Sequence, residues 1–342
     1  MRGWTVTRSE TATLSAPFRV TWDVTTRCNL SCRHCYNSSS STAPSPHQVF
    51  HLAEALADSK TFFMSLSGGE PLMEPHLWDI LGIFKRKKKF IQLISNGTLI
   101  TRAVAKKIRN CGVNSVQISL DGLKETHERQ RGVSGCFDRT LKGIEYLLQE
   151  QIPVTVNTLV SQYNRKEIGD IVHLLMQMGV QEFRTTRLIL MGRGAALHAE
   201  VLTPQQTHAL VREVLELRRQ YRGTITISPD ECMCFMGEKI GEYGLSWYGC
   251  PAGRTECAVD AGGNVYPCVF LTCDEFCMGN LFATSFDDIW YSDSFEHFRQ
   301  IESTCDCPIA DFCKGGCAAA AYARYGDISK KDPYCWRDEN ER

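Results

Sequence analysis

The stretch Phe18-Arg-Val-Thr-Trp-Asp-Val-Thr25 runs into Thr26-Arg-Cys28-Asn-Leu-Ser-Cys32-Arg-His-Cys35, a strand-like apolar run followed by a loop with C-x-x-x-C-x-x-C spacing. Three thiolates from one short loop can hold three corners of a cubane. A [4Fe-4S] cluster normally takes four Cys ligands, so a local set of three leaves one iron to an exogenous chelator. Structural zinc would want four ligands, usually arriving as spaced pairs. Counting His34 as the fourth would strain a tetrahedron, because it sits between Cys32 and Cys35.

Outward from that loop, strand and helix patterns alternate. Phe18 to Thr25, Phe62 to Leu66, Phe90 to Ile94, Ser115 to Leu120, Val154 to Leu159 and Glu182 to Ile189 read as strands. Ser45-Pro46 caps a helix to about Ser59, and Thr101 to Arg109, Phe137 to Glu150 and Lys166 to Met178 carry helical patterns. Strands each followed by a helix predict an α/β fold with a parallel sheet and right-handed crossovers. Ligands of a parallel barrel bind at the carboxyl ends of its strands, so polar motifs there are site candidates. They are Ser67-Gly-Gly-Glu-Pro71, Ser95-Asn-Gly97, Ser119-Leu-Asp-Gly122, Glu128-Arg-Gln-Arg-Gly132 and Met191-Gly-Arg-Gly194.

The cysteine loop with Tyr36, and these strand-end motifs in this order, resemble the radical S-adenosylmethionine (SAM) enzymes. The resemblance implies a partial (β/α)6 radical SAM barrel, with Cys28, Cys32 and Cys35 holding a [4Fe-4S] cluster whose open iron is chelated by SAM. It implies a 5'-deoxyadenosyl radical that abstracts a substrate hydrogen, and an electron donor such as flavodoxin or ferredoxin. Gly68, Gly69 and Glu70 match the motif that binds the SAM amino group, with Ser95, Asn96 and Ser119 where ribose and carboxylate would lie. His34 stands at an aromatic adenine-contact position. Arg131, with Arg129 competing, matches an arginine that pairs with the methionine carboxylate, a bidentate task suited to guanidinium.

The chain has 342 residues, enough for two domains with real cores, and a net charge of -1 that gives no electrostatic case for nucleic acid. Met1 to Val20 lacks a signal-peptide apolar core, and no segment approaches a membrane span. A cytoplasmic enzyme is expected. There dense cysteine usage points to metal or redox chemistry rather than disulfides. Of 17 cysteines, 12 fall from Cys232 onward, marking a second, cysteine-rich module. The expected divisions are an N-terminal extension (1–17), the barrel (18–202), a linker helix Gln205 to Tyr221 and connection (203–227), and the cysteine-rich module (228–342).

That module is similar to the SPASM extension of radical SAM maturases, with one residue fewer between Cys305 and Cys307 than the family block has. Ligand by ligand, the similarity implies two auxiliary [4Fe-4S] clusters, one on Cys250, Cys257, Cys268 and Cys317, the other on Cys305, Cys307, Cys313 and Cys335. Three clusters are then expected in all. The alternative for such paired cysteines is a zinc ribbon. Cys232, Cys234, Cys273 and Cys277 are left as structural thiols or candidate hydrogen-atom donors, and Cys111 and Cys136 as packing residues.

SPASM proteins mostly modify peptides by crosslinking, oxidising or epimerising residues, which makes a ribosomally made peptide the first substrate expectation, with a small molecule as the other possibility. A sulfatase-maturing role is disfavoured by Val269, where those enzymes carry Asp. A leader peptide would dock on the barrel, on a separate protein, or along a sheet edge by strand addition. The alternative is haem or tetrapyrrole maturation, because Trp22 to Leu30 with His34-Cys-Tyr36 is similar to haem-pathway radical SAM proteins. A non-catalytic iron-sulfur electron carrier is the third reading, and it has no use for SAM motifs.

Overall fold

The computed structural model describes residues 13–37, 44–229, 233–245 and 249–337, with the side chains of residues 233, 234 and 238 excepted. Six strands lie where the pattern placed them: β1 (Arg19–Asp23), β2 (Phe63–Ser67), β3 (Phe90–Ser95), β4 (Ser115–Ser119), β5 (Val154–Val160) and β6 (Glu182–Arg187). Between them run α1 (Pro46–Asp58), α2 (Leu77–Arg86), α3 (Arg102–Asn110), α4 (Lys124–Arg131), α5 (Cys136–Gln149) and α6 (Ile168–Met178). Ser45 caps α1 in a full capping box with Gln48, and Pro46 supplies the preset backbone of the first turn. The same device, Thr203 with Gln206 and Pro204, opens α7 (Pro204–Gln220).

Two features exceed the sequence reading. The segment read as a linker delivers α7 into a further strand, β7 (Thr226–Ser228), which pairs parallel with β6. The cysteine-rich region then sends β8 (Glu256–Val259) back to pair parallel with β1, carrying β9 (Asn264–Tyr266) and β10 (Gly279–Asn280) antiparallel beyond it. The result is one 10-stranded sheet in the order β10-β9-β8-β1-β2-β3-β4-β5-β6-β7. Short periodicity hides such joins, because β7 and β9 have three residues each.

Alternation along the strands assigns the faces. On β1, Val20 and Trp22 are fully buried toward the helices, Trp22 meeting Phe84 of α2 edge-on at 6.3 Å. Arg19 and Thr21 face the barrel interior. The apolar core continues from barrel residues such as Leu52 and Ile91 into Val265, Trp290 and Phe295 of the C-terminal region, so the two regions share one interior. Helices α8 (Phe286–Trp290), α9 (Asp293–Gln300), α10 (Ala310–Cys313) and α11 (Ala318–Tyr325) complete the chain. Among the described residues, no helix is long and apolar enough to cross a membrane.

Candidate functional site

A cavity of about 740 Å³ opens at the carboxyl ends of the strands. Its wall includes Cys28, Cys32 and Cys35 on one side and Cys250, Cys257, Cys268 and Cys317 on the other. Its floor is polar, with Thr21, Ser65, Gln92, Gln117 and Asn157 pointing inward from successive strands.

The three-cysteine loop is built on backbone contacts. Gly69 N–H donates to Thr25 O at 2.7 Å and Glu70 N–H to Arg27 O at 2.8 Å. A Cβ on Gly68 would lie 2.3 Å from Thr25 O, and one on Gly69 2.3 Å from Arg27 O. The paired glycines are therefore required for packing against the cysteine loop, in addition to lining the cavity as anticipated. From the far side, Arg193 donates from its backbone N–H to Cys35 O (2.9 Å) and from Nε to Cys32 O (2.9 Å). Gly192 has a left-handed φ of 54°, and a Cβ there would meet Tyr36 O at 2.5 Å. Cys136 packs behind Cys32 with Leu30.

One of the anticipated SAM contacts sits apart from the others. Ser95, Asn96, Ser119, His34, Gly68 and Gly69 line the cavity, but Glu70 does not. Glu70 is fully buried, accepting from Ser95 Oγ and the Asn96 N–H, both at 2.8 Å, and from the Leu72 N–H at 3.3 Å. Its carboxylate thus ties the loop after β2 to the end of β3. Burial pushes its carboxyl up to about 7, against the pull of those donors.

Arg131 does reach the cavity, held there by Asp121. Its Nε lies 2.7 Å from Asp121 Oδ2, and its Nη1 lies 3.6 Å from Cys32 Sγ. Asp121, which the sequence reading passed over inside Ser119-Leu-Asp-Gly122, is the hub of this corner. Its Oδ1 accepts from the Leu159 N–H at 3.0 Å, its Oδ2 lies 3.3 Å from His34 Nε2, and its own N–H donates to His127 Nδ1 at 3.1 Å. Although burial opposes ionisation, Arg131 and the two histidines hold the Asp121 carboxyl below its usual range. Burial lowers His34 to about 4, so its ring is neutral at neutral pH. Arg129, the competitor, lies outside, its guanidinium over Tyr163.

The late cysteines fall into two sets. Burial pushes Cys250 up to about 12 with Cys317 as the next cause, and Cys268 is raised by burial, then by Cys317 and Cys250. Cys305 is pushed up to about 12 by burial and by Cys307, and Cys335 to about 11 by burial with Cys313 among its neighbours. Cys257, on β8, lines the same cavity, but its charged neighbours are Glu256 and Arg299. Thiols that oppose one another's ionisation form a donor set that a polynuclear iron centre would relieve. Among the described residues no three Cys, His, Asp or Glu side chains gather tightly enough to hold a single metal ion. A cubane asks for less, since each thiolate meets a different iron.

Two hydrogen-donor candidates can be located. Cys273 Sγ lies 4.0 Å from the Tyr322 hydroxyl and Cys277 Sγ 3.7 Å from Gly279 O, both away from the cavity wall. Cys232 and the side chain of Cys234 lie outside the described residues.

Across the cavity the two regions touch. Tyr36, next to Cys35, meets Phe270, two residues past Cys268, edge-on at 5.1 Å. Arg187, at the end of β6, reaches both Asp332 oxygens at 3.1 and 3.3 Å, and Asp332 in turn accepts the Cys317 N–H at 2.9 Å. Neither pair has a sequence signal, because the partners lie far apart in the chain.

Comparison with known proteins agrees with this geometry. Residues 22–175 match the model of the radical SAM superfamily, and residues 250–318 that of the SPASM iron-sulfur cluster-binding domain. The chain is 31% identical over 347 residues to the AdoMet-dependent heme synthase of Methanosarcina barkeri, covering 95% of this chain and 97% of that protein. It is 28% identical to the mycofactocin maturase MftC of Mycobacterium tuberculosis, over 96% of this chain and 85% of MftC. The fold is shared with Streptococcus suis SuiB in the structure bound to precursor peptide SuiA, with a TM-score of 0.78 at 18% identity over 95% of this chain and 77% of SuiB. The chain therefore belongs to the radical SAM superfamily of enzymes, and within it to those that carry a SPASM iron-sulfur domain.

Proposed function

We propose that the chain matures a ribosomally made peptide, crosslinking, oxidising or epimerising a residue held in the 740 Å³ cavity. The observation that carries this reading is that one cavity has the three-cysteine loop on one wall and Cys250, Cys268 and Cys317 on another, so a substrate would sit between the two cysteine sets. Cys28, Cys32 and Cys35 would hold the SAM-binding cluster. Cys250, Cys257, Cys268 and Cys317 would hold one auxiliary cluster, and Cys305, Cys307, Cys313 and Cys335 the other, giving three. Loaded in this way, the site supplies the 5'-deoxyadenosyl radical that removes a hydrogen atom from the substrate.

The protein's own residues would position and shield. Gly68, Gly69, Ser95, Asn96, Ser119 and His34 would face SAM, with His34 a neutral ring held by Asp121 and Glu70 bracing the wall from behind. Arg131, beside Cys32, would offset thiolate charge. The floor of hydroxyls and amides suits the polar backbone of a peptide, and the aromatic residues of the lining besides His34 are Tyr36 and Phe270. The maturase MftC, similar over 96% of this chain, supports the reading. An electron donor of the flavodoxin or ferredoxin type would feed the site.

A second reading, haem or tetrapyrrole maturation, is favoured by the heme synthase relative that matches over 97% of its own length. One experiment separates them. Protein reconstituted anaerobically and reduced with SAM should form 5'-deoxyadenosine. Given a synthetic copy of a short peptide encoded beside the gene, it should shift that peptide's mass by the loss of two hydrogens, or, if it epimerises, leave the mass unchanged in ordinary water and add one deuterium at Cα in deuterated water. An unmodified peptide together with turnover of an iron-tetrapyrrole would overturn the peptide reading.

A further inference from the structure

A radical reaction that ends in a crosslink or an oxidised residue must also dispose of a proton, and the cavity wall offers few acceptors. Its lining carboxylates are Asp121, committed to Arg131 and His34, and Glu256, 3.4 Å from Arg19. Two carboxylates lie just behind that wall: Glu70, whose oxygens accept from Ser95, Asn96 and Leu72, and Asp23. The latter ends β1 on the same face as the cavity-lining Arg19 and Thr21, in register with Ser67 of β2.

Asp23 is 7% exposed and stands directly behind the wall. Its Oδ2 accepts from Asn37 Nδ2 at 3.0 Å, while Oδ1 makes no hydrogen bond in the described structure. Ser67 interacts with both the Asp23 carboxyl and the Tyr36 phenol, and Ser67, Tyr36 and Asn37 all line the cavity.

We propose that Asp23 is the proton acceptor of this site, reached from the cavity through the Ser67 hydroxyl. The proposal rests on the reading of the chain as a peptide-modifying radical enzyme. In the step, an N–H, O–H or S–H bond of the substrate breaks heterolytically and its electron pair stays on the heteroatom. Ser67 Oγ takes that proton as its own passes to the Asp23 carboxylate, so no electron is gained or lost.

The surroundings suit an acceptor better than a brace. The charged group facing Asp23 is another carboxylate, Asp260 in the β8–β9 turn, which is bonded to Asn264 and Tyr266. The cluster loop contributes the un-ionised Tyr36, and β2 contributes Ser67. Burial and Asp260 together push the Asp23 carboxyl up to about 7, where it can take a proton and return it. An asparagine would keep a polar contact to Asn37 without this cost in stability, so a purely structural role does not account for the carboxylate.

The test uses the full, iron-loaded chain as wild type, Asp23→Asn, Asp23→Glu and Glu70→Gln. In pH-difference infrared spectra, two protonated-carboxyl bands should titrate near neutrality, one lost in D23N and the other lost in E70Q. With the synthetic neighbouring peptide, product formed per 5'-deoxyadenosine should fall roughly 100-fold or more in D23N, and the acidic limb of its pH profile should flatten. D23E should recover much of both. A D23N protein with wild-type product yield and pH profile, or with both infrared bands unchanged, overturns the proposal. A wild type that makes no 5'-deoxyadenosine, yet one of whose bands is lost in D23N, overturns the peptide reading and leaves the proton site standing.

Discussion

The join between barrel and cysteine-rich region can be tested at Asp332. Arg187 and Asp332 are 4% and 0% exposed at their side chains and 3.1 Å apart. Asp332 also accepts the Tyr334 N–H at 2.8 Å and the Cys317 N–H at 2.9 Å, while Arg187 lies 4.7 Å from the Tyr334 ring. Asp332→Ala takes this carboxylate away from a buried guanidinium and leaves two backbone donors without their acceptor. Breaking such a pair from one side costs about 3–5 kcal/mol. At about 2.1 cal/mol/K per residue, the 342-residue chain unfolding as one unit loses roughly 0.7 kcal/mol for each degree. The melt should therefore drop by about 4–7 °C in anaerobic calorimetry. Since the lost bond positions Cys317, the iron content should fall from about twelve to about eight per chain under the proposed ligand sets. Asp332→Asn keeps an acceptor but not the charge and should fall between. A D332A protein that melts within about 1 °C of wild type and keeps its iron would refute the view that this pair holds the two regions together.

Other perturbations have separate readouts. Replacing Cys28, Cys32 and Cys35 together with Ala should abolish 5'-deoxyadenosine formation and remove about four of about twelve irons. Cleavage surviving that change would exclude the loop as the SAM-binding centre. Gly69→Ala places a Cβ 2.3 Å from Arg27 O, so the cysteine loop must shift. SAM cleavage should fall at least tenfold while the auxiliary iron stays, and a fully active variant would show that the loop is not braced there. Glu70 titrates at about 7 when folded against 4.5 as its ordinary value, so the folded state binds the proton more tightly. Stability of the iron-free protein should then fall as pH rises from about 4.5 to about 7 and level off above. Thermal melts across that range should show a shallower fall in Glu70→Gln, and identical slopes would refute the assignment.

What the sequence made legible follows from locality. Each barrel strand carries its own apolar pattern, each helix its own cap, and the cysteine loop its own spacing, so these could be read from neighbouring residues alone. Cys305 has Cys307 and Cys335 among its neighbours despite the shortened spacing. Roles set by long-range geometry were not legible in this way. That Glu70 accepts from Ser95 and Asn96 across to β3 has no signal in its own motif. Asp121 looks like a turn residue until Arg131 and His34 converge on it. Asp23 carried one usable signal, a carboxylate at the last position on the same strand face as Arg19 and Thr21.

The parallel pairing of β8 with β1 explains why the cavity has two cysteine walls at all. The cysteine-rich region continues the barrel's own sheet, with Thr21 in register with Ala258 and Trp22 with Val259. Turning that region away from the barrel would break a ladder of backbone hydrogen bonds at a buried strand, not merely a side-chain interface. The same ladder places the β8–β9 turn, and with it Asp260, beside Asp23 at the end of β1. The positions of Cys257 on the cavity wall and of Asp260 near Asp23 are thus set by one strand pairing, and with them the seat proposed for the substrate. Any slip of β8 along β1 would change all three together, because a one-residue shift turns every side chain of the strand to the opposite face.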